Sequence, residues 1–287
     1  MTIRAGFIGL GNIGQPMAEK LVEAGLDTTV YDVRDDAMAP LVTLGARAAT
    51  SPRDVALHAD VIGVCVRDGA DVHAVTSGPD GILAGASRDA VVALHSTILP
   101  RTVHEVAHAA AERGIRVLDA PITGGAFGAR QGTLTYMVGG EAELLERCRP
   151  AFEASAATII HAGPLGSGAT VKLCNNLMTY LGFLAAFEAT WLARAAGLPQ
   201  EALHAVTRSN GNMNDSMLML VATREAAEER PDDAALQGHL RSFADLAEKD
   251  LALTLEFARE RGVALPGTGL CQQLMARVYG VRDDKRR

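Results

Sequence analysis

The start of the chain constrains its fold more than any other stretch. Ile3 to Ile8 is a short apolar run that passes directly into Gly9-Leu10-Gly11-Asn12-Ile13-Gly14, and Gln15 to Ala24 then repeats apolar residues at helical spacing as far as Gly25. That order reads as strand, glycine turn and helix. Each glycine then has its own role, Gly9 in the tight turn, Gly11 in close backbone approach to a pyrophosphate, and Gly14 in close packing of helix on strand. The turn as a whole, with the backbone of Leu10, Asn12 and Ile13, would hold phosphates at the helix N-terminus.

A second apolar run, Thr28 to Tyr31, ends at Asp32, eighteen positions after Gly14. The spacing is near the ~20 residues expected for the acid that binds a dinucleotide ribose. A carboxylate there accepts from the ribose hydroxyls and repels a 2′-phosphate, which favours NAD. Arg34 stands close behind and could reach a phosphate, so NADP stays open.

The alternation continues. Ser51-Pro52-Arg53-Asp54 reads as a capped helix start, and Val61 to Val66 as a buried strand. Gly78-Pro79-Asp80-Gly81 is a turn, Val91 to Leu94 a strand delivering His95-Ser96-Thr97, and Pro100 opens a helix that stops near Gly114. Arg116 to Asp119, Thr133 to Val138 and Thr158 to His161 are further strands. Strands alternating with helices imply a mainly parallel sheet with ligands outside the strand carboxyl ends. The loops after Val66, Leu94 and Asp119 are expected to face the cofactor. In the last of these, Thr123-Gly124-Gly125 can expose consecutive backbone N–H groups, a concavity suited to a carboxylate. A plain glycine turn is the alternative.

Gly163 to Gly168 reads as a linker, and beyond it only helical patterns remain: Thr170 to about Ala195, Pro199 to Ser209, Met217 to Glu229, Ser242 to Arg261 and Thr268 to Val278. Asn210 to Asp215 reads as a loop, and Asp283 to Arg287 as a frayed tail. The expected division is 1–165 and 166–287. Near the start of the long helix, Lys172 and Asn176 are four apart and share a face, where both could touch one small molecule. Placed in the first turn and buried, the lysine would have its pKa lowered toward a value useful for proton transfer. The bland alternative is a lysine snorkelling from a core helix.

Composition narrows the partners. A formal net charge of −7 argues against a nucleic-acid binder, and no run of about 18 apolar residues exists that could span a bilayer. Cys65, Cys148, Cys174 and Cys271 are scattered without a C-x-x-C pair, so neither disulfides nor a thiolate metal site is indicated, and the cytoplasm is the simpler compartment. His104 and His108 have the i, i+4 spacing of metal ligands but lack an H-E-x-x-H pattern, and an exposed helix face accounts for them. His95 beside Ser96 suggests a nucleophilic pair, yet neighbours on a strand point to opposite faces.

Together these motifs resemble the β-hydroxyacid dehydrogenase family. The resemblance runs through Gly6 to Ala18, Ser96-Thr97-Ile98, Asp119-Ala120-Pro121-Ile122-Thr123-Gly124-Gly125, Lys172 with Asn175-Asn176, and Phe243 with Lys249-Asp250. It implies a Rossmann-like α/β dinucleotide-binding domain followed by an all-α domain, joined by a long helix across the junction. Subunits are expected to associate through the helical part as a homodimer or homotetramer. By resemblance Lys172 is the catalytic lysine and Asn176 the amide that orients the substrate. Thr123, Gly124 and Gly125 form the substrate carboxylate site with Asn175 nearby. Val66 and Thr97 contact the cofactor, and Lys249 reaches it from the helical domain. The implied reaction is hydride transfer between NAD(P) and a small 3-hydroxyacid or its semialdehyde. The alternatives are an imine reductase of related fold and a non-catalytic dinucleotide-binding assembly protein. Three positions depart from the family pattern: Thr123 replaces the usual serine, Leu94 the usual aspartate, and Arg67 stands in a loop that is commonly apolar.

Overall fold

The computed structural model describes residues 3–282, so the tail expected at 283–287 lies outside the described residues. The chain divides into two compact units, Met1–Lys172 and Leu173–Arg287.

The first unit runs β1 (Arg4–Ile8), α1 (Gly14–Glu23), β2 (Asp27–Tyr31), α2 (Ala39–Thr43), β3 (Arg47–Ala48), α3 (Pro52–Leu57), β4 (Val61–Val64), α4 (Gly69–Ser77), β5 (Val91–Leu94), α5 (Pro100–Ala111), β6 (Arg116–Asp119), β7 (Ile122–Thr123), α6 (Gly125–Gln131), β8 (Leu134–Gly139), α7 (Ala142–Glu153) and β9 (Ala156–Gly163). Its sheet has the order β3-β2-β1-β4-β5-β6-β8-β7, with β9 pairing β8. The first six are parallel in the Rossmann order. β8 then joins β6 antiparallel, so the sheet is mainly parallel, as expected, with an antiparallel junction near one edge. β4 and β5 are buried along their whole length, as strands covered on both faces must be. One core, including Phe7, Val30, Val91 and Tyr136, fills one face, and Ile62, Val64, Val92 and Leu94 fill the other.

Local chemistry sets several boundaries. Ser51 Oγ accepts the Asp54 N–H and Pro52 follows as the first helical residue, so α3 begins where the capping pattern put it. The expected strand Val61 to Val66 ends at Val64, and the chain continues against the glycine loop. The Cys65 N–H donates to Ile8 O, and its carbonyl leaves no room for a side chain on Gly9.

The remainder is helical: α8 (Ser167–Ala195), α9 (Gln200–Ser209), α10 (Asp215–Glu229), α11 (Ala234–Glu260) and α12 (Pro266–Tyr279). The division between units falls inside α8. The second unit's own core joins Tyr180 and Phe187 of α8 to Ala244, Ala247 and Leu251 of α11 and to Cys271, Met275 and Val278 of α12. α11 starts eight residues before the expected Ser242. Asp233 accepts the Leu236 N–H there as an N-cap, and a pair of alanines follows it.

Candidate active site

The glycine turn follows β1 and opens α1. Gly9 has φ +92°, a conformation that L side chains rarely adopt. A side chain on Gly14 would run into the Gly9 carbonyl, whereas one on Gly11 would meet open space. The helix N-terminus behind them has no side-chain cap and no acid in its first turn, so its N–H groups are available to an anion. Asp32 closes the far side of the turn: Oδ2 accepts from Leu10 N–H at 2.7 Å and Oδ1 from Arg34 N–H at 2.9 Å. Each oxygen keeps a further lone pair for a diol. Arg34 is largely exposed, with Nε 3.4 Å from Asp32 Oδ1.

Other expected residues line the carboxyl ends of the parallel strands. Ser96 ties the loop after β4 to the end of β5, since its hydroxyl accepts from Val66 N–H at 2.9 Å and donates to Val66 O at 2.8 Å. Thr97 follows, half-buried. His95 points the other way into the core, where its Nδ1 bonds Ala120 O at 2.8 Å and its ring packs against Phe7, Tyr136 and Phe152. Burial pulls its pKa down to about 4, and with Ser96 engaged elsewhere no nucleophilic pair exists. Arg67 is exposed and pairs with Asp68 and Asp71. His104 and His108 are both exposed on α5.

After β6 the chain forms the short β7, and Gly124 and Gly125 both have positive φ, +120° and +61°. Both are exposed, and a side chain on Gly125 would meet nothing. Sequence patterning missed α6, which begins at this glycine pair, because Gly125 to Gln131 is too short to show a helical period.

Lys172 lies in the second turn of α8, not the first. The helix begins at Ser167, in what read as linker, so the first-turn placement expected for the lysine does not hold. What starts the helix there is Asp119, a residue to which the sequence assigned no separate role. Its Oδ1 accepts the Gly166 N–H at 2.8 Å and its Oδ2 the Ala169 N–H at 2.7 Å.

In the second unit, Asn176 is buried and its Nδ2 donates to Asp250 Oδ2 at 2.7 Å, while Asn175 Nδ2 approaches Asn176 Oδ1 at 3.4 Å. Tyr180 OH donates to the same Asp250 oxygen at 3.3 Å. Burial, with the Asp250 carboxylate beside it, pushes the Tyr180 phenol far above its ordinary value and keeps it a donor. Lys249 Nζ lies 3.0 Å from Asp250 Oδ1, a charge contact that lacks hydrogen-bond alignment. Asp250 thus joins Asn176 and Tyr180 of α8 to its own neighbour Lys249 on α11. Phe243 stacks on Tyr279, ring centroids 5.9 Å apart.

Comparison with known proteins gives two successive family matches. The NAD-binding domain of 6-phosphogluconate dehydrogenase matches residues 4–163, and the NAD-binding domain of NADP-dependent 3-hydroxyisobutyrate dehydrogenase matches residues 166–286. An NAD-dependent L-serine dehydrogenase of Pseudomonas aeruginosa is 37% identical over 96% of this chain and 94% of its own. A solved structure of Mycobacterium tuberculosis 3-hydroxyisobutyrate dehydrogenase with L-serine superposes with TM-score 0.81, at 28% identity, covering 98% of this chain and 94% of the other. An imine reductase from Myxococcus stipitatus in complex with NAD+ shares the fold alone, with TM-score 0.67 and 21% identity over 98% of this chain and 95% of its own.

Proposed function

Because the chain belongs to the β-hydroxyacid dehydrogenase family, and is an NAD(P)-dependent hydroxyacid dehydrogenase of the 3-hydroxyisobutyrate type, we propose that it acts on a small 3-hydroxyacid or its semialdehyde with Lys172 as the proton-transferring group. One observation carries the reading. The glycine turn and Ser96-Thr97 follow the carboxyl ends of the parallel strands β1 and β5, the edge at which α/β sheets bind ligands, and Thr123-Gly124-Gly125 closes the short β7 into which the chain runs from the carboxyl end of β6.

The cofactor fits the residues present. Gly11 leaves open space at an uncapped helix N-terminus, and the Asp32 carboxylate has lone pairs to spare. Gly9 to Gly14 would hold the pyrophosphate and Asp32 the ribose, with Val66, Thr97 and Lys249 as further contacts. Asp32 favours NAD, and Arg34 leaves NADP usable. When bound, the nicotinamide supplies the hydride acceptor or donor for the carbinol carbon. The chain's own residues do the rest. The Thr123 hydroxyl and the Gly124 and Gly125 N–H groups hold the carboxylate, and Asn176, kept in place by Asp250, orients the hydroxyl, with Asn175 beside it. The Lys172 amine takes the hydroxyl proton in oxidation, and its ammonium returns a proton in reduction. Holding both reactants on ordered backbone supplies much of the acceleration.

L-Serine carries the required β-hydroxyl and carboxylate, and one relative is named for oxidising it. The threonine methyl of Thr123, where the family pattern has serine, narrows the space beside the carboxylate and favours small acids. The functional division of labour is proposed at 1–165 and 166–287, with assembly as a homodimer or homotetramer through the helical unit. We place the protein in the cytoplasm, consistent with four free cysteines. No observation favours imine reduction, since that likeness reaches only the fold.

The test is a panel of L-serine, 3-hydroxyisobutyrate, tartronate semialdehyde and 4-hydroxybutyrate, each with NAD(H) and NADP(H), followed by the absorbance of the reduced nicotinamide. Turnover of at least one acid or semialdehyde, faster with NAD(H), is expected. Tight cofactor binding without turnover on any of them would contradict the reading and favour a non-catalytic assembly role.

A further inference from the structure

We propose that Asp119 is a positioning residue for Lys172: its buried carboxylate caps the first turn of α8 from the end of β6 and so sets where the lysine stands on the sheet edge. The inference rests on the assignment of Lys172 as the proton-transferring group. It concerns residues of the first unit only.

A helix begins with backbone N–H groups that have no partner inside it, and the residue before the first turn ordinarily supplies a side-chain oxygen to one of them. In α8 that residue is Gly166, which has no side chain and holds φ +87°. Asp119 supplies the missing oxygens from 47 and 50 positions upstream. Oδ1 accepts from Gly166 N–H at 2.8 Å, and Oδ2 accepts from Ala169 N–H at 2.7 Å. Two bonds from the two oxygens of one planar carboxylate constrain the direction of a helix as well as its first residue.

The surroundings are shaped for this contact. Asp119 is 1% exposed. A side chain on Gly139 would collide with its Oδ1, and one on Gly168 would collide with the Met137 carbonyl, so β8 and the first turn of α8 both use glycine to let backbone and carboxylate meet. Burial pushes the Asp119 carboxyl above its ordinary range, and the N–H groups of Ala169 and Gly166 pull it back. A carboxylate in this position is costly to bury, whereas helix stability alone needs only an exposed serine or aspartate at the cap. Lys172 comes three residues after Ala169, about one turn on. Any slide or rotation of the capped turn therefore moves the lysine relative to Thr97, just past the end of β5, and Thr123, at the end of β7.

The experiment compares full-length wild type, Asp119→Asn, Asp119→Glu and Lys172→Met. Four quantities are measured on each: thermal midpoint, NADH dissociation constant, kcat and KM, and the pH profile of kcat. Asp119→Asn presents one amide where two acceptors are needed, and Asp119→Glu keeps the charge but lengthens the strut. For both we expect kcat per folded molecule to fall about 10- to 100-fold, the scale of a misplaced catalytic group. NADH binding should stay within about twofold, and the pH limb of kcat that belongs to the lysine should move. A merely structural Asp119 would lower the thermal midpoint and leave that limb in place. Should Asp119→Asn fail to fold, Asp119→Glu decides alone. Wild-type kcat with an unmoved pH limb in the folded variants overturns the proposal, provided Lys172→Met is inactive. If Lys172→Met itself keeps turnover, the assignment of Lys172 fails first, and the two failures are told apart.

Discussion

Single residues divide the work between charge and burial. Asp32 accepts two backbone N–H bonds and keeps a further lone pair on each carboxylate oxygen, the basis of its proposed ribose contact. Replacing it by serine while Arg34 remains should lower kcat/KM with NAD by about tenfold or more, the worth of a charge-assisted hydrogen bond, and should favour NADP relative to NAD. Parallel kinetics with the two cofactors check this, and an unchanged ratio would remove Asp32 from the ribose site. His95 contributes to stability instead. Its pKa falls to about 4 in the folded chain because burial penalises the charged ring, against about 6.5 when unfolded. Between those values the unfolded state holds a proton that the folded state does not. Its contribution is therefore complete above about pH 6.5 and lost as pH falls toward 4. Denaturant unfolding at about pH 7.5 and about pH 5 should show some 2 kcal/mol of loss that His95→Phe abolishes. That His95 and Ser96 point apart was legible from strand alternation, whereas which of them enters the core and the aromatic cage around it were not, since Phe7, Tyr136 and Phe152 come from three distant elements.

At the scale of elements, one glycine turn does two separable things. A methyl group on Gly14 meets the Gly9 carbonyl, so Gly14→Ala should cost about 1 to 3 kcal/mol of stability. A methyl on Gly11 meets nothing, so Gly11→Ala should melt close to wild type yet bind NADH much more weakly. Melting curves and NADH titrations on the two variants decide; weakened folding in Gly11→Ala and intact folding in Gly14→Ala would reverse the assignments. The turn was readable because its parts are adjacent in the chain. The start of α8 was not: Gly163 to Gly168 reads locally as linker, and the carboxylate that turns it into a helix start lies 47 positions away. In the sequence Asp250 stood out only beside Lys249, and its contacts were hidden for the same reason. Its bonds to Asn176 and Tyr180 span 74 and 70 positions, and only folding brings the three together.

For the molecule as a whole, the change from alternating elements to helices alone was visible in the sequence, because periodicity of 2 and of 3.6 differ over any ten residues. Where the compact units divide was not visible, since the division falls at Lys172 within one continuous helix. Among the described residues no helix is long and apolar enough to cross a membrane. The helical unit nevertheless leaves Met178, Leu192, Met219 and Leu270 exposed, and apolar surface of this kind marks association sites when it is contiguous. Sedimentation should give at least twice the chain mass, and a monomer at micromolar concentration would remove the proposed assembly. The proposed reaction turns on Lys172 moving the substrate proton. The direct measurement is kcat beside the NADH dissociation constant for wild type and Lys172→Ala on the best substrate of the panel. Loss of kcat by about 10²- to 10⁴-fold with NADH binding preserved is the predicted result, and wild-type turnover in the alanine variant would contradict it.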